Sequence, residues 1–483
     1  MWTDKSLLRH HKPGSSFGSI DHIAIPAELY SLALISRVRE NRVDGTMFDK
    51  KPKLQRLLRR SDDEAAQQSK PYRTRRTVVL TGSTGSMGSY LLDCLLATWN
   101  IDKIYCLNRS SDARDKQLQS HRTRGLTTDF ASTKSARSSN VSGSHVSTDP
   151  SSDRVEFLTY DLTLPHLGLD SDVHALLQNT VTHILHNAWP VNFNQHFSTF
   201  EPAIIGARAL IDFVAATPHV CTLFFVSSIA VAGDWGKLPG SRAKVPETIL
   251  HDWRVARMGY GQSKLVTERI IAEAVATGVL SHTQAAICRV GQVAGPVLRG
   301  QYGEWSRREW MPSLIQSSKF LGKLPRTLGP VDAIDWIPVD VLAQVLVELM
   351  LLPPDKLAQN KGTKKDEPAV WHIVNPETIS WTTLLPAVQA SLGAQAEVED
   401  FVDWVDALKA SATRESVMQD VEINPAVKLV RFFEDVQDKA VRFPKASSAT
   451  LDTFVTVKSS RTLGSLPPVT PEWMELWMQQ WQF

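Results

Sequence analysis

The chain has 483 residues, of which 53 are basic and 51 acidic, so its net charge at pH 7 is only +2. This balance gives no field that would bind nucleic acid or a membrane surface, so neither is expected as a partner. No apolar run reaches the about 18 residues of a membrane span, and a cytoplasmic protein is expected. The four cysteines show no metal-ligand spacing, so no metal site or disulfide framework is predicted.

Residues 1–72 precede the first predicted strand and form a helical N-terminal extension with a linker. Apolar residues recur at helical spacing over residues 27–39, and a second short helix is predicted around residues 54–58. The charged, Gln-rich residues 59–70 are typical of a linker.

A strand, a helix and a strand open the next region, which we predict to be a nucleotide-binding domain over residues 73–298. The β-branched run at 77–81 predicts a buried parallel strand. Residues 87–99 have helical periodicity, and residues 103–107 form the next strand. This order is a βαβ unit, whose crossover is right-handed.

Residues 110–153 interrupt this alternation. Ser, Thr, Arg and Asp dominate the segment, and large apolar side chains are scarce. Such a composition buries too little surface to offset the entropy of ordering the chain. We therefore predict a disordered insertion after the second strand.

Strands and helices alternate again after the insertion. Strands are predicted at 155–159, 183–186, 222–226 and 285–290, with helices at 173–177, 203–215 and 260–276. Strands separated throughout by helices predict an α/β protein with a Rossmann-type, doubly wound parallel sheet.

Tryptophans and amphipathic helical segments characterise residues 299–483, which we predict to be a smaller, mostly helical substrate-binding cap. Helices are predicted at 341–350 and 473–481. The segments 331–345 and 370–375 are predicted to return to the sheet.

A glycine-rich turn follows the first predicted strand. Gly82 permits the tight turn, Gly85 lets the backbone approach a pyrophosphate, and Gly88 lets the next helix pack on the strand. The helix N-terminus adds free N–H groups and a partial positive charge. The position of the glycines between strand and helix predicts a dinucleotide site. Its residues are Gly82, Ser83, Thr84, Gly85, Ser86, Met87 and Gly88.

Residues at the ends of three further strands select the cofactor and complete its site. NAD-binding chains usually place an acidic residue after the second strand for the ribose 2′-hydroxyl, whereas this chain has Arg109 there. A guanidinium can hold a 2′-phosphate through charge-assisted hydrogen bonds, which favours NADPH. Cofactor contacts are also predicted after the third and fourth strands, where open α/β sheets bind ligands, at Asp161, Leu162, Asn187 and Ala188.

A tyrosine and a lysine begin the helix after the fifth strand. Tyr260 and Lys264 share one face of that helix, and Ser228 ends the preceding strand, with Ser227 as the alternative. Reduction of a carbonyl needs a proton on oxygen, and a neighbouring ammonium together with the positive charge of the nicotinamide can lower the pKa of a tyrosine from about 10. We therefore predict Ser228, Tyr260 and Lys264 as catalytic residues, with Tyr260 and Lys264 also at the nicotinamide ribose.

Five stretches resemble the thioester reductase domains of the extended short-chain dehydrogenase/reductase superfamily. They are residues 79–88, 186–193 (HNAWPVNF), 260–264 (YGQSK), 289–295 and 336–340 (WIPVD). Such domains end fungal nonribosomal-peptide-synthetase-like proteins, some polyketide synthases and carboxylic acid reductases. The resemblance implies reduction by NADPH of an acyl thioester on a carrier protein's phosphopantetheine arm. The implied product is an aldehyde, in some cases reduced again to an alcohol.

The acyl donor and the role of the extension stay open. The family's reductases usually follow adenylation and carrier domains, and an adenylation domain does not fit into 483 residues. The donor is therefore expected to be the carrier protein of a separate synthase, or coenzyme A. Residues 19–23 resemble a carrier motif with His22 in place of its serine, so residues 1–60 are either a carrier relic or an unrelated helical segment.

Two other functions remain as alternatives. One is an NADPH-dependent reductase of a free ketone or aldehyde, or another extended short-chain dehydrogenase. The other is a non-catalytic, cofactor-sensing interaction protein, against which the intact Tyr260 and Lys264 pair argues. The oligomeric state is not predicted.

Overall fold

The computed structural model describes residues 75–130, 153–241, 243–303, 305–353, 356–357, 366–393, 396–412, 422–442 and 450–482. The predicted N-terminal extension and its carrier-like motif lie outside these residues. Residues 131–152 of the predicted insertion also lie outside them.

Seven parallel strands form the central sheet, in the order β7-β6-β5-β4-β1-β2-β3. The strands are β1 (Arg76–Thr81), β2 (Ile101–Asn108), β3 (Val155–Thr159), β4 (His183–His186), β5 (Thr222–Ser228), β6 (Ala285–Val290) and β7 (Ala369–Ile373). The order reverses between β1 and β4, and ligands of open α/β sheets bind at such a switch point. The predicted Rossmann-type, doubly wound parallel sheet is confirmed.

Helices cover both faces of this sheet, and further helices form the C-terminal region. In chain order they are α1 (Ser86–Ala97), α2 (Ala113–Thr123), α3 (Ser171–Thr180), α4 (Glu201–Ala216), α5 (Gly259–Ala276), α6 (Trp310–Leu321), α7 (Val339–Met350), α8 (Trp381–Leu392), α9 (Phe401–Ala412), α10 (Val430–Arg442), α11 (Phe454–Ser459), α12 (Arg461–Gly464) and α13 (Pro471–Trp481). Within the described part of the chain, none of them has the length and apolar character that crossing a bilayer requires.

Successive side chains of β1 divide between two apolar cores, one on each face of the sheet. Val78 and Leu80 pack in the core that contains residues of α1 and α7. Val79 packs in the core that contains residues of α4 and α5. A strand buried on both faces needs a continuous apolar sequence, which explains the β-branched run from which β1 was predicted.

A third core holds the aromatic side chains of the C-terminal region. Helices α6, α8, α9, α10 and α13 contribute to it. Trp305 and Trp336 are both buried there, with their ring centroids 5.3 Å apart. Their burial assigns them to packing in this core.

The two segments predicted to return to the sheet behave differently. Residues 369–373 form β7, which pairs with β6 at one edge of the sheet. Residues 331–345 do not join the seven-stranded sheet. Instead Ile337–Pro338 pairs with Val293–Ala294 just after β6, and α7 follows and packs against α1.

The prediction of disorder over 110–153 is wrong for its first part, because α2 lies within it. Leu126 and Phe130 are buried in the same core as α1. Gln117 is also buried, and its Nε2 donates a hydrogen bond to Ser89 Oγ on α1 (3.2 Å). A few buried side chains therefore hold residues 110–130 in place, although the average composition of the predicted insertion resembles that of disordered chains.

Candidate active site

The glycine turn after β1 is closely packed on its inner side. Gly82 has φ +71°, and a Cβ there would lie 2.9 Å from Ala188 Cα, in the loop after β4. A Cβ on Gly88 would lie 2.0 Å from Gly82 O. Only glycine fits at these two positions, because one requires a left-handed backbone and both are in contact with backbone atoms.

The outer side of the turn is open and suits a phosphate. Gly85 and Ser86 are exposed, and a Cβ on Gly85 would meet only Gly82 O, at 3.4 Å. Gly85 caps α1 without a side chain, and the first turn of α1 contains no acidic residue. Its N–H groups and the positive end of its dipole are therefore available to an anion.

Three other residues of the predicted site hold the turn in place. Ser83 is buried, and its Oγ exchanges hydrogen bonds with the side-chain amide of Asn108 at the end of β2 (3.0 and 3.3 Å). Thr84 Oγ1 donates to the same Asn108 oxygen (3.4 Å). Met87 is half-buried and packs against the core that contains α1. No sequence pattern indicates a role for Asn108, apart from its place at the end of a strand.

Arg109 and Asp161 lie near each other after β2 and β3. Arg109 is exposed. Asp161 Oδ1 accepts hydrogen bonds from Thr163 N (2.9 Å) and Thr163 Oγ1 (2.6 Å). These hydrogen bonds and the charge of Arg109 lower the pKa of Asp161. Leu162 is buried instead, and its side chain fills the space beside Gly206 of α4.

Thr81 ties the end of β1 to the loop after β4. Its Oγ1 accepts hydrogen bonds from Asn187 N (3.1 Å) and Ala188 N (3.0 Å), and Asn187 Nδ2 donates to Gly82 O (3.3 Å). The Thr81 hydroxyl lies 2.9 Å from His186 Nδ1. Burial lowers the pKa of His186 to about 3, so its ring is neutral and its Nδ1 shares one hydrogen bond with the Thr81 hydroxyl.

Tyr260 and Ser228 meet at the carboxyl edge of the sheet. Tyr260 is buried at the start of α5 and hydrogen-bonds with Ser228, the last residue of β5. Burial raises the pKa of Tyr260 to about 12, and the hydrogen bond with Ser228 opposes this rise. The prediction of a lowered pKa relied on both the Lys264 ammonium and the positive charge of the nicotinamide. In the protein alone, desolvation disfavours the phenolate and raises the pKa instead.

Lys264 is buried one helical turn beyond Tyr260. Its Nζ donates a hydrogen bond to Val226 O (2.6 Å). The ammonium also lies 4.2 Å from the ring centroid of Trp189 and 4.6 Å from that of Phe225. Burial lowers the pKa of Lys264 well below its usual value, whereas the two rings favour its charged form. Sequence reasoning missed both rings, although Trp189 lies in the HNAWPVNF stretch.

The two candidate serines have different surroundings in the structure. Side chains alternate along a strand, so Ser227 faces away from Ser228. Ser227 Oγ donates a hydrogen bond to Glu268 Oε1 (2.5 Å) in the interior. Glu268 in turn forms a fully buried ion pair with Arg289 of β6, with 2.7 Å between Arg289 Nη2 and Glu268 Oε2. Of the two serines, it is Ser228 that lies beside Tyr260.

A family model described as "Male sterility protein", of the NAD-binding type, matches residues 80–346. The chain is 34% identical over 462 residues to a carboxylic acid reductase of Neurospora crassa, covering 93% of this chain and 39% of that protein. It is 31% identical over 411 residues to the non-reducing polyketide synthase dbaI of Emericella nidulans, covering 84% of this chain and 14% of that protein. The chain thus spans well under half the length of these relatives.

Solved structures share the fold at lower identity. The terminal R domain from the myxalamid PKS-NRPS biosynthetic pathway superposes with a TM-score of 0.61 at 22% identity, covering 87% of this chain and 96% of that one. A thiolation-reductase di-domain from an archaeal non-ribosomal peptide synthetase gives 0.59 at 18% identity, covering 84% and 75%. Because the family model matches more than half of its residues, the chain belongs to the male sterility and thioester reductase family, which binds a nicotinamide cofactor, and the resemblance predicted from its sequence is confirmed.

Proposed function

We propose that the chain is an NADPH-dependent reductase that releases an acyl thioester as an aldehyde. The observation that carries the proposal is the meeting of Tyr260, Ser228 and Lys264 at the edge of the sheet that also bears the glycine turn. A relative named as a carboxylic acid reductase and another named as a polyketide synthase support an acyl substrate. The donor is an acyl group bound to a carrier protein or to coenzyme A.

Each candidate residue has a task in this reaction. Bound NADPH would supply a hydride to the carbonyl carbon. Tyr260 and Ser228 bind the carbonyl oxygen, and Tyr260 gives it a proton, which yields a hemithioacetal. Breaking its carbon–sulfur bond then restores a carbonyl, and the thiol leaves with a proton. A Tyr260 pKa near 12 keeps the hydroxyl protonated at neutral pH, as a proton donor must be.

Different residues would hold different parts of the cofactor. The open N-terminus of α1 at Gly85 and Ser86 would hold the pyrophosphate. Lys264 would hold the nicotinamide ribose together with Tyr260, and Arg109 would hold the adenosine 2′-phosphate. Asp161, Asn187 and Ala188 border the same edge of the sheet. Leu162 and Ser83 contribute by packing and by fixing the turn.

A direct assay tests the proposed function. Purified protein is mixed with NADPH and a panel of acyl-pantetheine thioesters, and both cofactor oxidation and aldehyde are measured. We expect turnover of at least one thioester. The proposal fails if folded protein that binds NADPH turns over none of the panel. Free ketones and aldehydes form a second panel, and turnover of these alone would favour a carbonyl reductase.

The choice of cofactor is tested by Arg109→Ala. Loss of a charge-assisted contact with a phosphate should weaken NADPH binding by about 10- to 100-fold. The affinity for NADH should stay the same, because NADH lacks the 2′-phosphate. Fluorescence titration gives both dissociation constants, and Arg326→Ala in the C-terminal region is the control. An equal loss for both cofactors would contradict the assignment of Arg109.

A further inference from the structure

One loop crosses the start of the helix that carries Tyr260. This loop, residues 189–196, connects β4 to the short 3-10 helix Phe197–Phe200, and we call it the aromatic loop. It crosses α5 at Gly259, where a Cβ would lie 2.5 Å from Gln195 O and 2.6 Å from Phe197 N. The aromatic loop therefore rests on the backbone of α5, one residue before Tyr260.

The beginning of the aromatic loop is fixed by Trp189. Its Nε1 donates a hydrogen bond to Ser263 Oγ (3.3 Å), and its ring lies against the ammonium of Lys264. Contacts at Trp189 and at Gly259 hold the loop at both ends. The residues between them therefore present a defined surface beside the candidate catalytic groups.

Two phenylalanine rings contact Tyr260 in different surroundings. Phe200 is 1% exposed, and its ring centroid lies 6.1 Å from that of Tyr260. Phe193, in the aromatic loop, packs edge-to-face on Tyr260 at 5.2 Å and is 50% exposed. Phe200 thus belongs to the interior, whereas much of Phe193 is open to a ligand.

Two further exposed apolar residues lie close to Phe193 and Tyr260 in the sequence. Val191, two residues earlier in the loop, is 69% exposed, and Met258, two residues before Tyr260, is 37% exposed. Exposed apolar side chains on the two segments that flank a reactive hydroxyl are characteristic of a binding surface. The pantetheine arm carries amide groups that need hydrogen-bond partners, so this surface suits the other substituent of a thioester carbonyl, the acyl group.

We propose that Phe193 is a specificity-determining residue whose exposed face receives the carbon chain or ring of the acyl group. This inference rests on the proposed function, because the Tyr260 hydroxyl then sets the position of the carbonyl. A ring packed on Tyr260 lies beside the part of a bound acyl group that extends past its second carbon. Contact with the ring favours aromatic and longer aliphatic acyl groups over acetyl.

The test compares wild type, Phe193→Ala and Phe193→Leu on acetyl-, octanoyl- and benzoyl-pantetheine with NADPH. We expect Phe193→Ala to lower kcat/KM for the octanoyl and benzoyl thioesters by about tenfold, mainly through KM. The acetyl thioester should change less than about twofold. Phe193→Leu should restore octanoyl turnover more than benzoyl turnover. Val220→Ala is a control for loss of an exposed side chain, since Val220 is 61% exposed and precedes β5 at its amino end.

Each possible result either supports or overturns the proposed role of Phe193. An equal loss on all three thioesters means that Phe193 acts only by packing on Tyr260, and it overturns the proposal, as does an unchanged selectivity. Wild-type protein that reduces no thioester would refute the proposed function itself, which is a distinct outcome. Thermal melting and NADPH titration of each variant check the fold, and Phe193→Leu decides if Phe193→Ala does not fold.

Discussion

Replacing Tyr260 by Phe should lower kcat by about 10²- to 10⁴-fold, the usual contribution of a positioned proton donor. The substitution removes only the hydroxyl that hydrogen-bonds with Ser228. The ring, with its contacts to Phe193 and Phe200, remains. The dissociation constant for NADPH should therefore change little, and the loss should lie in the chemical step.

Single-turnover kinetics with a thioester that the wild type reduces measure this effect. Tyr302→Phe serves as the control, because Tyr302 is exposed and its hydroxyl has no part in the proposed chemistry. If Tyr260→Phe retained most of the rate, another group would have to supply the proton. The assignment of Tyr260 would then be wrong.

Replacing Glu268 by Gln should lower the free energy of unfolding by about 3–5 kcal/mol. Glu268 and Arg289 are both fully buried, and the carboxylate accepts hydrogen bonds from Arg289 Nε (3.1 Å) and Nη2 (2.7 Å). Arg289 Nη1 also contacts His372 Nε2 (3.1 Å), and burial holds the pKa of His372 well below its usual value. Neutralising Glu268 thus leaves a buried guanidinium without a counter-charge.

Urea unfolding of matched variants measures this cost. Asp212→Asn removes the negative charge from the partly exposed pair between Arg208 and Asp212 and should cost less than about 1 kcal/mol. The double variant Glu268→Gln with Arg289→Met should recover part of the loss, because no unpaired charge remains. A loss for Glu268→Gln no larger than that for Asp212→Asn would contradict the importance of the buried pair.

The sheet was predictable because its signals are local. The β-branched run of β1, the glycines after it and the helical spacing of α1 lie within a few residues of one another. The insertion was not predictable from composition, because its order depends on contacts such as those of Phe130 and Leu126 with a distant core. The average composition of a segment does not reveal which of its individual side chains are buried.

The sequence indicates which residues form the candidate site, but it does not indicate their pKa shifts. Tyr260, Lys264 and Ser228 follow from strand ends and helix spacing. Trp189 reaches Lys264 across the sheet edge from a loop far away in the sequence, so no spacing rule indicates it. The direction of the Tyr260 pKa shift depends on burial, which the sequence does not show.

The transfer of hydride to the acyl carbon is the central claim, and isotope labelling tests it most directly. NADPH carrying deuterium at the transferring position of the nicotinamide ring is incubated with the protein and an acyl-pantetheine thioester. Mass spectrometry then analyses the products. We predict an aldehyde that carries deuterium at its carbonyl carbon, together with free pantetheine thiol in equal amount. Cofactor oxidation without labelled aldehyde, or thiol release without cofactor oxidation, would contradict the claim.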